Sequence, residues 1–591
     1  MRLPNLFASS RGRLSAFFFL YMTEGIPLGF AAIAVATQLR RQGVGPAEIG
    51  AFVGSFYLPW AFKWAFGPVV DVFSSERLGR RRGWILAMQI LMVCTLLASM
   101  LLTLPEQLGL FTIILLVHNT FAATQDVAID ALAINTLAEN ERATANGMMF
   151  AGANIGQMVG GAGSLFLASY LNFQATFVFV SAAILLVTVF VVMPLKEPAS
   201  APRVKAVGSA FAAAGREMRT FAVTAFRSFL GTRGSFAGLF MALLPPGAMC
   251  LGLALQSNLA VELGMNDDQV GWMNVWTSVL GAAGCIIGGR ISDRVDRRKA
   301  LTVYILLMSL PVLAMMGVLL HYDWIMPLAA NAAKRQDVPQ MLLVAFWIAV
   351  LTYSVFQGLM YSTSTAIYMD VTNPLVAGTQ FTAYMALFNL AISYSATWQG
   401  IAIEAWGYPN TMLIDAFFGL LFLLILPFTR KRPGDPAGYT DALGAGRAKV
   451  LARSLAALCV IWLPLHFMQD RLGVGLPIAN TLFSLVFIGS TLFLLAGGVV
   501  LAESATQLTR ICTRFAPLML LMLTRSYLDT IAAWFAPLIT KNNFAQLMDT
   551  FYYGLPTIAA ALLWQLAAKP WAELRPMDGM EGADRINPMT A

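Results

Sequence analysis

The sequence predicts an all-α polytopic membrane protein, and composition, run length and charge placement each support that class. Of the 591 residues, 58% are hydrophobic and the mean hydropathy is +0.68, which is more apolar side chain than a soluble fold of this length can bury. The apolar residues form continuous runs of about 20 residues, the length that a helix needs to cross a bilayer. Strands of a membrane barrel would instead show short segments of alternating polarity.

Twelve apolar runs come first along the chain. The first begins at Leu14 and lacks a small-residue cleavage site, so we expect a membrane span rather than a removed signal peptide. The runs lie at about residues 15–39, 48–69, 84–104, 109–138, 142–170, 173–194, 236–262, 268–290, 300–322, 341–369, 376–405 and 408–428.

Lysine and arginine are concentrated in alternate connecting segments, and this asymmetry orients the chain. If the N-terminus is inside, the basic residues of the outside loops are Arg40, Arg41, Lys334 and Arg335, and the inside segments carry many more. Basic residues accumulate on the cytoplasmic side of membrane proteins. We therefore expect both ends of the twelve-span core to be cytoplasmic.

Four more apolar stretches follow the twelfth run, near residues 451–468, 477–502, 515–539 and 548–568. The third carries Arg525 and Asp529 at positions i and i+4, where they can neutralise each other within one helix. We predict roughly 14 to 16 spans in total. Sixteen is favoured, because an even number keeps the basic residues after the core inside.

The runs divide the chain into two six-helix halves, residues 1–195 and 236–429, and a set of additional transmembrane helices at 451–570. Cytoplasmic linkers are expected at 196–235 and 430–450, and a cytoplasmic tail at 571–591. In the first linker, Phe211, Met218 and Phe229 share one helical face and arginines occupy the other. That pattern predicts an amphipathic helix on the inner membrane surface.

Several function classes find no support in the sequence. The five cysteines lie in or beside apolar runs without CxxC spacing, which argues against a zinc site or a disulfide framework. Basic residues at span ends explain the net charge of +8 better than nucleic-acid binding does. We find no nucleophile motif, nucleotide loop or metal-ligand set, so we expect no enzymatic activity, no metal and no cofactor.

Charge is concentrated in two short segments between apolar runs. Residues 67–84 read "GPVVDVFSSERLGRRRGW" and residues 289–298 read "GRISDRVDRR". In each, a glycine and an aspartate are four residues apart and a basic cluster follows. The recurrence indicates a two-fold internal repeat.

Two six-span halves, each with G-x-x-x-D and a basic cluster between its second and third spans, resemble the major facilitator superfamily. Other motifs resemble its peptide/acetyl-CoA transporter group, which includes the AmpG-type muropeptide permeases. They are "EGIPLGF" (24–30), "LPWAFKWAFGPVVDVFSSERLGRRRGW" (58–84), "TQDVAIDALAINTLAENERATANG" (124–147) and "NPLVAGTQFTAYMALFNL" (373–390). The resemblance covers about residues 14–428.

The resemblance implies a monomeric secondary transporter of the bacterial inner membrane that imports a small-molecule substrate by proton symport. Within the group it implies anhydro-muropeptides, which are products of cell-wall recycling, as the cargo. The chain departs from the muropeptide pattern in its fifth span, where Asn154 and Gln157 stand in a region that often carries a basic residue. A cargo of the acetyl-CoA or siderophore type therefore stays open, as does a membrane sensor that does not transport.

Four charged residues interrupt the apolar runs of the first half. Glu24 lies near the middle of the first span and Lys63 lies in the second. Asp126 and Asp130 lie one turn apart in the fourth, with Asn119 on the same face. Ionised groups at that depth are costly unless they face a cavity or a partner. Either they form a static ion-pair network, or Glu24 or the aspartate pair carries a proton during transport.

Polar stripes follow two helices of the second half. The tenth span carries Gln357, Tyr361, Ser364 and Tyr368, and the eleventh carries Thr382, Asn389, Ser393 and Thr397, with Gln380 at its entrance. Such stripes either join helices by hydrogen bonds or form a substrate-binding wall of tyrosine rings and amides. The candidate substrate-cavity residues are Lys63, Asn119, Asn154, Gln157, Gln357, Tyr361, Tyr368, Gln380 and Asn389.

The matched aspartates of the two charged segments suggest gates. Asp71 can pair with Arg80 and Arg81, and Asp293 can pair with Arg294 and Arg297. Ion pairs at the inner rim would hold the outward-open state and break when the protein opens inward. Orientation signals alone would explain the arginines but not the aspartates.

Overall fold

The computed structural model describes most of the chain as helices and connecting turns. The described residues are 5–73, 78–137, 142–197, 215–216, 218, 226, 228–292, 294–328, 338–372, 377–430, 441–472, 476–500, 507–528, 532 and 540–569. The predicted amphipathic helix in the first linker lies mostly outside them, as do Asp293 and Asp529.

The first half forms six spans, and three of them contain two α-helices each. The helices are α1 (Ser10–Gly29), α2 (Ala36–Arg41), α3 (Pro46–Ala61), α4 (Phe66–Val72), α5 (Arg82–Ser99), α6 (Leu108–Thr136), α7 (Arg142–Met158), α8 (Ser164–Tyr170) and α9 (Phe173–Val187). π-Helical turns at Phe30–Val35 and Val159–Gly163 join α1 to α2 and α7 to α8, and a 3₁₀ turn at Lys63–Ala65 separates α3 from α4.

The second half also forms six spans. Its helices are α10 (Arg233–Leu243), α11 (Ala254–Glu262), α12 (Asp267–Ser292), α13 (Arg297–His321), α14 (Gln340–Val371) and α15 (Ala377–Ile425). The last of these contains two spans, because the chain kinks at Gly407, which has φ +79°. Glycine tolerates this left-handed conformation, which other residues rarely adopt.

The seventh span is broken, whereas the sequence predicted a continuous run over residues 236–262. α10 ends at Leu243, and Pro245, Pro246 and Gly247 follow before α11 begins. Proline lacks a backbone N–H and its ring clashes with the preceding turn, and Gly247 has φ +91°. The same three residues therefore stop the helix and let the chain turn.

By length and apolar composition, ten helices in the described part of the chain could cross a membrane. The number is lower than the predicted 14 to 16 spans for three reasons. The second, fifth and seventh spans are split into shorter pieces, and α15 holds two spans in one helix. The helical segments over residues 507–527 and 541–567 are not among the ten. The chain is an all-α multi-pass membrane protein, as predicted.

The chain divides into two compact units. The first comprises Met1–Met218, Phe240–Asp370 and Thr382–Pro427 and contains nearly all of both six-helix halves. The second comprises Arg219–Leu239, Val371–Phe381 and Phe428–Ala591.

In the first unit, α1 and α7 approach each other closely enough for backbone contact. A Cβ at Gly152 would overlap the backbone of Phe18, and one at Gly156 would overlap that of Met22. Small residues allow membrane helices to pack at this distance. This contact fixes α1, which carries Glu24, against α7, which carries Asn154 and Gln157.

The second unit has its own apolar core, formed by α16 (Asp441–Leu472), α17 (Pro477–Val500), α18 (Gln507–Phe515), a 3₁₀ segment (Ala516–Tyr527) and α19 (Lys541–Ala567). Arg525 lies over the ring of Trp462 and donates hydrogen bonds to His466 Nδ1 at 2.5 Å and Gln469 Oε1 at 2.9 Å. The arginine is thus satisfied by groups of α16, and its predicted pairing with Asp529 stays a prediction.

Candidate functional site

The charged residues of the first half meet in one buried cluster. Lys63 Nζ lies 2.9 Å from Asp126 Oδ2, and the side chains of the two residues are 14% and 4% exposed. Tyr21 of α1 donates a hydrogen bond to Asp130. Because spans 1, 2 and 4 each contribute to it, the cluster joins residues more than 100 positions apart in the sequence.

The third carboxyl group of this cluster is that of Glu24. It is buried, and no hydrogen-bond partner among the described residues reaches its Oε1 atom. It interacts electrostatically with Asp126, Asp130 and Lys63, and its carboxyl is within hydrogen-bonding reach of Asp126. Two carboxyl groups can share a hydrogen bond only when one of them is protonated.

The charges in the cluster do not balance if every group is ionised. Three carboxylates, from Glu24, Asp126 and Asp130, face one lysine, so the full charge would be −2. Burying unpaired carboxylates is costly, whereas binding a proton removes the cost. The arrangement is therefore chemically suited to hold at least one exchangeable proton.

A hydrogen-bond chain supports α1 beside Glu24, and no motif of the sequence had indicated it. Thr23 Oγ1 accepts from Gln125 Nε2 at 2.9 Å and from Gln89 Nε2 at 3.3 Å. Thr188 donates to Gln89 Oε1 at 2.7 Å. The chain links spans 1, 3, 4 and 6, so it holds the acidic cluster in a fixed position within its half.

A polar cavity of about 150 Å³ lies between the two halves, along the middle stretches of their helices. Of the predicted cavity residues, Asn154, Gln157 and Gln357 line it. The other lining residues are Leu28, Gly29, Ala32, Ile33, Val53, Tyr57, Leu251, Gly252, Leu253, Gln256, Ser257, Asn274, Thr277, Ser278, Gly281, Tyr353 and Ser354. None of these twenty residues is charged, and amides and hydroxyls supply the polar groups.

Six predicted cavity residues do not line this cavity: Lys63, Asn119, Tyr361, Tyr368, Gln380 and Asn389. Lys63 is bound to Asp126, and Asn119 is fully buried in α6 with neither amide atom hydrogen-bonded to a described residue. Asn389 is only partly buried.

The aromatic and amide members of that group are taken up by packing. Tyr361 packs edge-to-face on Phe388 with ring centroids 5.6 Å apart. Tyr368 stacks on Tyr384 at 5.5 Å. Gln380 is fully buried and donates to Ser228 O at 3.3 Å. In this structure Tyr361 and Tyr368 of the tenth-span stripe therefore serve interhelical packing.

The α12 side of the cavity was not predicted from the sequence. Asn274, Thr277 and Ser278 recur at helical spacing and line the cavity, a polar stripe that could have been noticed. Asn274 Oδ1 accepts from Ala162 N at 3.1 Å, in the π-helical turn of the other half. This residue thus both lines the cavity and joins the halves.

One end of the first unit is closed by buried charge, and we call it the Arg40 end. Arg40, from the last turn of α2, pairs with Glu262 at the end of α11, and their side chains are 3% and 2% exposed. Arg40 also donates to Leu328 O at 2.8 Å, and Tyr408 donates to Glu262 at 2.8 Å. A second pair, Arg41 with Asp267 at 2.9 Å, is more exposed.

Glycine contacts between α3 and α15 reinforce this closure. A Cβ on Gly50 would lie 2.9 Å from Gly400 Cα, and Ser393 donates to Gly54 O at 2.7 Å. Glu404 accepts a hydrogen bond from Ala47 N at 3.0 Å. The two halves are therefore in backbone contact on this side of the cavity.

At the opposite end, the loop arginines bind groups of their own half. Arg82 donates to Val192 O at 3.0 Å and to Met193 O at 2.5 Å. The N–H of Arg81 donates to Glu197 at 2.9 Å, and Arg297 pairs with Asp370 at 2.6 Å.

The predicted gate pairs stay predictions. The side chain of Asp71 and the whole of Asp293 lie outside the described residues, so their pairing is not seen. Arg80 is partly buried, and Arg294 is exposed at the start of the turn before α13. The observed partners of Arg81 and Arg297, Glu197 and Asp370, were not predicted.

A polar cavity between two six-helix halves that is closed at one end is the arrangement of an alternating-access carrier. The chain belongs to the Major Facilitator Superfamily, whose family model matches residues 14–247 and 246–570. It is thus a membrane transporter, and its family implies a small-molecule substrate. Transporter relatives also agree with the expectation that the chain is not an enzyme.

Among curated proteins, the chain is similar to the anhydromuropeptide permease of Escherichia coli strain K12. The two are 24% identical over 469 residues, which cover 76% of this chain and 88% of the permease. A "putative transporter AmpG 4" of Rickettsia conorii is 28% identical over 197 residues, 32% of this chain and 47% of that protein. These relatives confirm the resemblance to AmpG-like permeases that the motifs indicated.

Solved structures agree on the fold. A D-xylose–proton symporter matches with a TM-score of 0.51 at 11% identity, over 70% of this chain and 96% of the symporter. A POT family transporter in complex with a thioalcohol-conjugated peptide matches with a TM-score of 0.53 at 10% identity, over 70% and 95%.

Proposed function

We propose that this transporter imports anhydro-muropeptides across the bacterial inner membrane by proton symport. The basic residues predict a cytoplasmic N-terminus, which places the Arg40 end outside. The structure then corresponds to a state closed to the outside. Substrate and proton would enter when the Arg40 end opens and leave when it closes.

The acidic cluster carries the proposal of proton coupling. Lys63 neutralises Asp126 and Tyr21 binds Asp130, whereas the Oε1 atom of Glu24 has no hydrogen-bond partner among the described residues. A proton on Glu24 lets the loaded carrier reorient without moving a bare carboxylate through an apolar gate. Once the inner side opens, hydration stabilises the ionised form and the proton leaves.

The cargo is supported by the permease relative and by the chemistry of the cavity. Amide groups such as those of Gln157, Asn274 and Gln357 form hydrogen bonds with sugar hydroxyls, and Tyr57 and Tyr353 also line the cavity. The cavity of about 150 Å³ is smaller than sites for drug-sized ligands, which measure about 300–1,000 Å³. It must therefore widen when cargo is bound.

Uptake by right-side-out vesicles tests the proposal. Labelled anhydro-disaccharide peptide should accumulate above equilibrium when an inward proton gradient is imposed, and a protonophore should abolish the accumulation. Acetyl-CoA and a ferric siderophore serve as competing cargoes. Transport of either one with no muropeptide uptake would contradict the proposed cargo, whereas muropeptide uptake that ignores the proton gradient would contradict the coupling.

A further inference from the structure

Asp415 closes the break in the seventh span. Its Oδ2 atom accepts hydrogen bonds from Met249 N at 2.7 Å and Cys250 N at 2.9 Å, and its Oδ1 accepts from Gln399 Nε2 at 2.7 Å. The side chain is fully buried. The interruption after Leu243 deprives Met249 and Cys250 of helical partners, and an unpaired buried N–H is costly.

Gly419, one turn after Asp415 on α15, provides the space for this contact. A Cβ there would overlap the backbone of Gly247, and Gly247 N donates to Gly419 O at 3.3 Å. One face of α15 therefore holds both sides of the break. Asp415 binds the backbone that re-enters the helix, and Gly419 packs on the backbone that leaves it.

The residues directly after the Asp415 contact form a wall of the substrate cavity. Leu251, Gly252 and Leu253 all line it. A Cβ at Gly252 would lie 2.6 Å from Gln357 Nε2 and 3.0 Å from Tyr353 Oη, so the backbone at Gly252 lies directly against these two polar side chains. A shift of the broken segment would change the spacing between them.

We propose that Asp415 is a positioning residue for transport: it holds the unwound part of the seventh span so that the backbone at Gly252 forms the cavity wall beside Gln357 and Tyr353. The inference rests on the proposed use of this cavity for cargo. Asp415 itself is not among the residues that line the cavity, so it acts through the backbone that it binds.

Replacing the carboxylate by an amide separates geometry from charge. In Asp415→Asn, Oδ1 still accepts from the two N–H groups, and Gln399 can turn its amide to accept from Nδ2. In Asp415→Ala both N–H groups lose their acceptor. We expect the asparagine variant to keep a near-normal half-saturation concentration for uptake. In the alanine variant, the half-saturation concentration of the folded transporter should rise tenfold or more.

A native thiol reports the position of the segment without any cargo. Cys250 is fully buried, so it should react slowly with maleimide in a protein whose other four cysteines are replaced by serine. Asp415→Ala should speed that reaction at least tenfold, and Asp415→Asn should not. If the alanine variant does not fold, Asp415→Ser, whose hydroxyl is too short to reach both N–H groups, takes its place.

Thr411→Ala is the matched control. Thr411 is also fully buried on α15, but among the described residues its hydroxyl bonds only its own helix, through Gly407 O at 2.8 Å. It should change neither the half-saturation concentration nor the labelling of Cys250. A purely structural role for Asp415 would lower the amount of folded protein and leave both readouts unchanged, which overturns the proposal.

The outcomes also distinguish this inference from the proposed function. If no candidate cargo is taken up, Cys250 labelling still shows whether Asp415 holds the segment, and unchanged labelling in the alanine or serine variant overturns the inference. If Asp415→Asn loses uptake as fully as Asp415→Ala while Cys250 stays protected, the charge of Asp415 matters and its positioning role is refuted.

Discussion

Removing the charge of Glu262 should open the Arg40 end. Glu262→Gln keeps the shape and the hydrogen-bond acceptor of the side chain, but it leaves the Arg40 guanidinium buried without its counter-ion. In a state open at this end, Arg40 would be hydrated and the loss would cost little. The substitution therefore penalises the closed state alone.

The burial of the pair sets the size of the effect. Breaking a buried ion pair by removing one partner costs roughly 3–5 kcal/mol, and both side chains are at most 3% exposed, so solvent screening is weak. The amide that replaces the carboxylate would retain a hydrogen bond, which favours the lower value. About 3 kcal/mol corresponds to a shift of about 100-fold in the equilibrium between closed and open states.

The comparison with Asp267→Asn makes the prediction specific. Asp267 pairs with Arg41 at the same end, but the two side chains are 23% and 29% exposed. Pairs of this kind contribute about 0.2–1 kcal/mol, so the expected shift is roughly fivefold or less. A double substitution of Arg40 and Glu262 by methionine should restore closure, since an apolar pair can replace a buried ion pair.

Spin labels on exposed residues at this end measure the shift. Tyr170, at the end of α8, and His321, at the end of α13, are exposed and belong to different halves. In a background without native cysteines, Glu262→Gln should add a longer label-to-label distance that the parent protein barely populates. If the distance distribution of Glu262→Gln changes no more than that of Asp267→Asn, the buried Arg40–Glu262 pair does not hold this end closed.

Three further substitutions test the cluster and the cavity. Glu24→Gln should abolish gradient-driven accumulation and spare equilibrium exchange of cargo in vesicles; accumulation by a well-expressed variant would shift the role to Asp126 and Asp130. Lys63→Met should lower the free energy of unfolding by about 3–5 kcal/mol, because it leaves buried carboxylates unpaired. Adding Asp126→Asn should restore most of that stability. Equal melting temperatures of the single and double variants would show that the Lys63–Asp126 pair does not stabilise the fold. Gln357→Leu should raise the half-saturation concentration for uptake roughly two- to tenfold, the worth of about 0.5–1.5 kcal/mol for a neutral hydrogen bond, whereas the same change at Asn389, outside the cavity, should not.

Local patterns predicted the class of the protein and part of its candidate site. The helical spacing of Asp126 and Asp130, and the rarity of charge within apolar runs, identified the cluster before the structure placed Lys63 against it. The same kind of signal identified three residues that line the cavity. Asn154, Gln157 and Gln357 are polar residues within apolar helices. Such signals depend only on the residue and its immediate neighbours.

Contacts between distant segments were not predictable from those patterns. Arg40 served only as an orientation signal, because its partner Glu262 lies 222 residues away. The sequence does not single out Asp415, because a lone acidic residue in an apolar run does not reveal that it binds a backbone broken at residues 244–249. The break itself has a signal in Pro245, Pro246 and Gly247, but the surrounding run is long enough to predict a continuous membrane span.

Proton movement driven by cargo tests the central claim most directly. Proteoliposomes that contain the transporter and a pH-sensitive dye, with no imposed gradient, should show acidification of the lumen when labelled anhydro-disaccharide peptide is added outside. Uptake and acidification should begin together, and Glu24→Gln should lose the acidification while it still equilibrates the cargo. Cargo uptake by the unmodified protein without any change in luminal pH would contradict proton symport.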